Sequence, residues 1–311
     1  MFQGIATSTR RTYESAQRKF LHFCQWSGRL HANGSPLPAS EWTLMLFVTH
    51  LSDSVRASSI SVYLSGIRSL HIENGLANPL DNCLRLERVL RGIKRSQGAS
   101  KRERLPVTTA VLARILTVID GTSYDDALFW AACCTGFFGF LRSGEFTTTT
   151  SSLNPQLHLA VSDVKTDRHE NPSVLFLRIK CSKTDPFRKG HVIRLGVSGT
   201  PICAVKALLQ YLKLRGGEAG PLFRHRNGLP LTRSTLTSWL RDAIARAGLT
   251  GNFSGHSFRI GAATSAAAAG IPDHLIKTLG RWFSNAYQLY IQTPPRILES
   301  IPARIAQSLG E

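Results

Sequence analysis

Acidic side chains are scarce in this 311-residue chain: 20 Asp and Glu stand against 38 Lys and Arg, a formal charge of +18. A cationic excess of this size raises affinity for polyanions, and nucleic acid is the expected partner. A basic tail alone does not account for it, since residues 1–105 hold 15 basic and 7 acidic side chains and residues 106–311 hold 23 and 13. The six cysteines (Cys24, Cys83, Cys133, Cys134, Cys181, Cys203) include no C-x-x-C pair and no Cys/His cluster at zinc spacing, so neither a metal site nor a disulfide framework is expected. Long apolar runs are also missing, the longest, Ala127 to Leu141, being too short to span a bilayer. The opening MFQGIATSTRRTYE has no apolar h-region, so neither secretion nor a membrane partner is expected. No internal repeat is visible.

What is present is helical periodicity. Tyr13, Ala16, Phe20 and Phe23 recur at helical spacing from Ser8 to Gly28. A second helix follows Ser40, a third runs from Ala57 to Asn74, and a fourth from Leu84 to about Arg95. These make an N-terminal helical bundle over 1–97. SQGASKRERLP has no apolar pattern and reads as a linker over 98–106, with Lys101, Arg102 and Arg104 placed to lie along a phosphate backbone; KRER also has the look of a nuclear-import patch. The second domain, 107–311, opens with helices at about 108–119 and 124–139. Extended stretches follow at TTTT, LHLAVSDV, SVLFLRIK and HVIRL, the last two joined by the hairpin loop CSKTDPFRKG. Helices return at about 202–215, 232–247, 257–269, 272–279 and 284–292. Ile297, Ile301, Ile305 and Leu309 repeat every four residues in a tail helix over 296–309. The fold class expected is mainly α with a small antiparallel β-sheet.

Two H-x-x-R pairs occur. His191 and Arg194 sit on an expected strand, where i and i+3 point to opposite faces, whereas His256 and Arg259 open an expected helix, share a face and meet free N–H groups that attract an anion. Arg142 ends an almost wholly apolar helix with Glu145 three residues on, which reads either as an internal salt bridge or as an Arg held rigid to present its fork to a phosphate. Lys183 lies in the hairpin loop beside Lys180, Arg188 and Lys189. Tyr290 follows Trp282 by eight residues, with Tyr287 one turn away.

Arg142, Lys183, His256, Arg259, Trp282 and Tyr290, in that order and at those intervals, resemble the active-site set of the tyrosine recombinase (phage integrase) family. The wording LRSGEF, SKTDPFRKG, HSFRIGAATSAAAAGIP, LGRW and YQLYIQTP is similar to recombinases of DIRS, Ngaro and Crypton mobile elements. The resemblance covers about 142–293 and implies a site-specific recombinase or integrase that cleaves and rejoins DNA through a 3′-phosphotyrosine, needing neither metal, ATP nor another cofactor. It implies the following roles. Tyr290 is the nucleophile, with Tyr287 as the alternative. Arg142, Arg259, His256 and Trp282 hold the phosphate oxygens. Lys183, or Lys180 in its place, protonates the leaving 5′-oxygen. Glu145 orients the site from behind. Arg281 has no role in that set and is expected to be a backbone contact or a surface charge. The resemblance further implies a clamp on double-stranded DNA, a homo-oligomer (a tetramer on DNA) joined through the tail, with docking of the tail on its own domain as the alternative, and nuclear location in a eukaryote or cytoplasmic location otherwise. Two other activities stay open at this point, a catalytically silent DNA-binding protein and a type IB topoisomerase-like enzyme.

Overall fold

The computed structural model describes residues 4–98 and 104–293, together with Glu299 and Pro302. The chain divides into two compact units, Met1–Lys101 and Arg102–Glu311. The tail helix expected over 296–309 falls outside the described residues apart from those two, as do Lys101 and Arg102 in the expected linker.

The first unit holds α1 (Thr7–Trp26), α2 (Glu41–Ser52), α3 (Ala57–Glu73) and α4 (Leu84–Ser96). Phe20, Phe23, Leu44, Phe47, Ile60 and Ile67 form its core. α1 crosses α3 closely because residue 66 is Gly: a Cβ there would lie 2.9 Å from that of Ala16. The ends of the helices are tied individually. Ser40 caps α2 by accepting the Thr43 N–H at 3.2 Å, and Gln97 donates to the Ser52 and Val55 carbonyls at 2.9 and 3.0 Å, which fixes the end of α4 against the α2–α3 turn.

The second unit begins with α5 (Thr109–Leu116), α6 (Tyr124–Phe138) and the one-turn α7 (Ser143–Phe146). A sheet of β1 (Val164–Thr166), β2 (Val174–Ile179) and β3 (His191–Gly196) follows, then α8 (Ala204–Arg215), α9 (Arg233–Arg246), α10 (Ser257–Ala268) and α11 (Asp273–Leu279). The sheet is antiparallel in the order β1-β2-β3, so the fold is mainly α with a small antiparallel sheet. α6 is the central helix, buried from Ala127 to Phe137. α10 packs against it. The small residues of α10 have a specific use: a Cβ on Gly261 would lie 1.8 Å from the Val107 carbonyl oxygen, so only Gly lets the chain before α5 pass across this helix.

Three expected elements differ. TTTT is not a strand: the Thr147 hydroxyl donates to Ser143 O at 2.6 Å and that of Thr148 to Thr150 O at 2.7 Å, and Thr148 makes a single bridge to Thr232. Local hydroxyl bonds of this kind compete with a ladder. In LHLAVSDV the Asp163 carboxylate turns back to accept the Ala160 N–H at 2.8 Å, which winds 161–163 into a 3-10 turn and delays pairing to Val164. The segment expected as a helix over 284–292 is a 3-10 turn, Asn285–Tyr290. The Thr264 hydroxyl donates to Tyr290 O at 3.2 Å and accepts the Gln292 N–H at 3.0 Å, so these backbone groups are held by a side chain of α10.

Candidate active site

Arg142 does not end α6. That helix stops at Phe138, the chain turns through Phe140 at a φ of +49°, and Arg142 occupies the N-cap position of α7. Glu145, the third residue of α7, reaches back to accept the Arg142 N–H at 3.0 Å, as the acid of a capping box does. Its other oxygen accepts from Arg142 Nη1 at 3.0 Å. The ion pair exists, with Glu145 3% exposed, while the Arg142 side chain keeps 17% of its surface open.

Glu145 serves more than one partner. Ser182 Oγ, in the β2–β3 hairpin loop, donates to Glu145 Oε1 at 3.0 Å and lies 3.0 Å from Arg142 Nη1, whose N–H it accepts. Arg281 Nη2 donates to Glu145 Oε2 at 2.7 Å. Arg281 is thus no surface charge: its side chain is 10% exposed and Nη1 donates to Gly139 O at 3.1 Å. Sequence reasoning missed both Ser182 and Arg281, because their partners lie 37 and 136 residues away.

His256 and Arg259 lie at the start of α10, at the N-cap position and third residue. Gly255 makes the approach to α7 possible, since a Cβ there would stand 2.6 Å from that of Ser143. His256 is exposed, and partial desolvation of its ring, together with the neighbouring charges of Arg104, Arg233, Arg142 and Arg259, lowers its pKa from the ordinary imidazole value. Arg233, the first residue of α9, is the neighbour that spacing alone did not suggest. It also lines an open cleft of about 460 Å³ with Thr149, Ser234, Thr237, Ser238 and Arg241.

Arg259 is completely buried. Nη1 donates to Phe140 O and Nη2 to Gly280 O, and Nε has no partner among the described residues. Burial first, and Arg142 second, pull its pKa down to about 9, which leaves it charged at neutral pH. The guanidinium carbon lies 4.1 Å from the centre of the Trp282 ring and 5.8 Å from that of Tyr290. The Trp282 and Tyr290 rings are 5.3 Å apart. The Trp282 indole N–H is buried with no partner among the described residues.

Tyr287 and Tyr290 separate clearly. Tyr287 is buried, and its hydroxyl donates to Asp273 Oδ2 at 2.9 Å, a bond that, as the largest cause, raises its pKa. Tyr290 is half-buried against Trp282 and Arg259. The two loop lysines separate in the same way. Lys180 Nζ lies 2.6 Å from Asp163 Oδ2 and donates to Pro155 O at 2.8 Å, with 20% of its side chain exposed. Lys183 is exposed and follows the Ser182 anchored to Arg142. Arg188 and Lys189 are exposed on the same loop, whose close is fixed by Asp185 accepting the Gly190 N–H at 2.8 Å. Arg104 is exposed, its carbonyl held by Gln292 Nε2 at 3.1 Å. His191 and Arg194 do not share a face: Arg194 stands over the Phe176 ring of the sheet at 5.6 Å, while His191 lines a pocket with Ser182, Lys189 and Arg281.

Among the described residues no group of three or more His, Cys, Asp or Glu could hold a metal ion, and no helix is long and apolar enough to cross a membrane. Arginine is what the site concentrates: Arg142, Arg259 and Arg281 near the carboxylate of Glu145.

Residues 158–292 match the model of the phage integrase family. An integrase/recombinase xerD homolog of Selenomonas ruminantium is 26% identical over 275 residues, which are 84% of this chain and 74% of that protein. The XerH site-specific recombinase in a post-cleavage complex with its palindromic difH substrate has the same fold, with a TM-score of 0.65 at 18% identity over 94% of this chain and 78% of that one. A lambda integrase dimer bound to a COC′ core site gives a TM-score of 0.61 at 17% identity over 94% and 73%. Arg142 and Glu145 precede the matched segment and join its site in space. Residues 158–292 of this chain, which carry Lys183, His256, Arg259, Trp282 and Tyr290, belong to the phage integrase family of tyrosine recombinases.

Proposed function

We propose that this protein is a site-specific DNA recombinase or integrase serving a mobile element, and that Tyr290 is its nucleophile. The observation that carries the reading is the convergence of Tyr290, Trp282 and the buried guanidinium of Arg259, beside an Arg142 fixed by Glu145. In the proposed step Tyr290 Oη gives up its proton to water and bonds to the phosphorus. The bond from phosphorus to the 5′-oxygen breaks, and that oxygen takes a proton from Lys183. A second 5′-hydroxyl later attacks the phosphotyrosine, giving its proton back to Lys183; the bond from phosphorus to Tyr290 Oη breaks, that oxygen takes a proton from water, and Tyr290 and the phosphodiester are restored.

The pentacoordinate phosphorus gains charge on its non-bridging oxygens, and preorganised cationic donors stabilise it. Arg142, whose Nη1 is held by Glu145 and Ser182, offers its remaining N–H groups. Arg259 spends one N–H of each terminal nitrogen on a carbonyl, so it acts on the phosphate through its remaining N–H groups. The unpartnered indole N–H of Trp282 is a further donor. Arg259 is fully buried, with Trp282 and Tyr290 beside its guanidinium, so in the proposed reaction phosphate reaches it only once the packing around it opens. His256 adds a hydrogen bond. Duplex DNA is the proposed partner, as it is for the XerH and lambda integrase structures. A phosphate path over Arg104, Arg233, Arg241, Arg188 and Lys189 fits the open cleft and the exposed loop. A homo-oligomer on DNA is proposed from the same neighbours, one of which is a lambda integrase tetramer on a Holliday junction.

The full burial of Arg259 is the observation that favours the second reading, a DNA-binding protein without cleavage activity. A duplex nicked beside the cleavage site decides between them: the freed fragment diffuses away, and an active recombinase is trapped as a covalent adduct on a denaturing gel. DNA binding with no adduct on any candidate element terminus supports the silent protein.

A further inference from the structure

We infer that Arg281 is a positioning residue for the proposed cleavage reaction, holding Glu145, and through it Arg142 and the Lys183 hairpin, against the end of α11. The inference rests on the recombinase reading and adds a residue outside the set that the resemblance supplied.

The local sequence LGRW explains how Arg281 reaches this place. α11 ends in a Schellman turn: the Arg281 N–H donates to Thr278 O at 3.0 Å and the Trp282 N–H to Lys277 O at 3.0 Å. The C′ position of such a turn is left-handed and is the usual seat of glycine, yet here it is Arg281, with a φ of +54°. Glycine stands one residue earlier for a different reason. A Cβ on Gly280 would lie 1.6 Å from Cζ3 of Trp282, so Gly280 leaves room for the indole to fold back over Arg259. A sterically disfavoured arginine in a slot suited to glycine calls for a compensating contact, and the side chain makes two. Nη2 meets Glu145 at 2.7 Å and Nη1 meets Gly139 O at 3.1 Å.

These contacts join both phosphate-binding arginines of the proposed site. Glu145 accepts four hydrogen bonds, from the Arg142 backbone, the Arg142 side chain, Ser182 and Arg281. Losing Arg281 leaves Oε2 with the Arg142 N–H alone. Arg281 also grips Gly139, next to the Phe140 whose carbonyl holds Arg259, and Arg259 in turn grips the Gly280 carbonyl beside Arg281. The end of α11 and the turn after α6 are therefore cross-linked by a reciprocal pair of arginines. Arg281 lies at the back of Glu145 and is set to orient the reacting groups.

The experiment uses the nicked-duplex cleavage assay under single turnover, with wild type, Arg281→Gly and Arg281→Lys. Glycine suits the backbone conformation, so this variant removes the side chain without opposing the turn. The expected result is a fall of about 10- to 100-fold in maximal cleavage rate with an unchanged half-saturating DNA concentration. Arg281→Lys, which restores one donor to Glu145, recovers part of the rate, and added guanidinium ion recovers part of it in Arg281→Gly. Wild-type cleavage by Arg281→Gly overturns the inference alone. Rate and DNA affinity lost in equal measure by both variants overturn it as well, since that pattern marks a general structural loss. If Arg281→Gly fails to fold, the Lys variant carries the same test. A wild-type protein that forms no adduct overturns instead the recombinase reading beneath it.

Discussion

Trp282 lies across the guanidinium of Arg259 at 4.1 Å, and the indole reaches that position because residue 280 has no side chain. Stacked cations of this kind contribute about 2 kcal/mol when desolvated. Gly280→Ala places a methyl group inside the indole ring, so the ring must leave. The expected outcome is a stability loss on the order of 1–3 kcal/mol, seen as a lower midpoint in urea, with a red-shifted Trp emission and loss of cleavage. An unshifted emission spectrum would show that the stack is not held by this glycine.

The ring of His256 provides a pH test. Partial desolvation and four arginines lower its pKa from the ordinary 6.5, so the folded protein binds fewer protons here than the unfolded chain. The associated stability is fully present above the unfolded value and is lost as the pH falls through the folded one. An NMR titration of the free protein should place His256 below 6.5, and binding of a DNA phosphate among those arginines should move the midpoint upward. A downward move on binding would mean that the phosphate lies elsewhere.

Lys180 and Lys183 are expected to fail in different ways. Lys180→Ala strips Asp163 of its cation and should cost on the order of 2–3 kcal/mol in thermal or urea unfolding. Lys183→Ala should leave stability within about 0.5 kcal/mol, as for an exposed side chain, yet slow cleavage by 10²-fold or more. A substrate whose leaving 5′-oxygen is replaced by sulfur needs no proton donor and should restore the rate of the Lys183 variant. Restoration in the Lys180 variant instead would reverse the assignment.

Gly261→Ala tests the packing that carries the site. With Val107 O at 1.8 Å from the added carbon, and backbone rather than a flexible side chain in the way, the second unit should lose several kcal/mol of stability. A far-UV CD melt within a degree or two of wild type would contradict the close crossing.

The helices of the first unit, the hairpin and the His256–Arg259 pair were legible in the sequence because each rests on short-range periodicity or spacing. Gly28, where the first periodic stretch ends, does adopt a left-handed φ of +65°. What was not legible depended on partners far along the chain. Nothing near Arg281 announces Glu145, and nothing near Lys180 announces Asp163, 17 residues earlier on the far side of β1 and β2. The β-branched run TTTT suggested a strand by composition, but its hydroxyls found local carbonyls first. The last turn before Tyr290 carried a helical pattern, and the Thr264 side chain of α10 took its backbone groups instead.

The two tyrosines three residues apart bear on the central claim most directly. Tyr287 is tied to Asp273, while Tyr290 borders Arg259 and Trp282. On a nicked duplex of the element terminus, wild type and Tyr287→Phe should both form the covalent protein–DNA adduct, with Tyr287→Phe less stable by about 1 kcal/mol for the lost hydrogen bond. Tyr290→Phe should bind the same duplex and form none. An adduct from Tyr290→Phe, or its loss only in Tyr287→Phe, would contradict Tyr290 as the nucleophile.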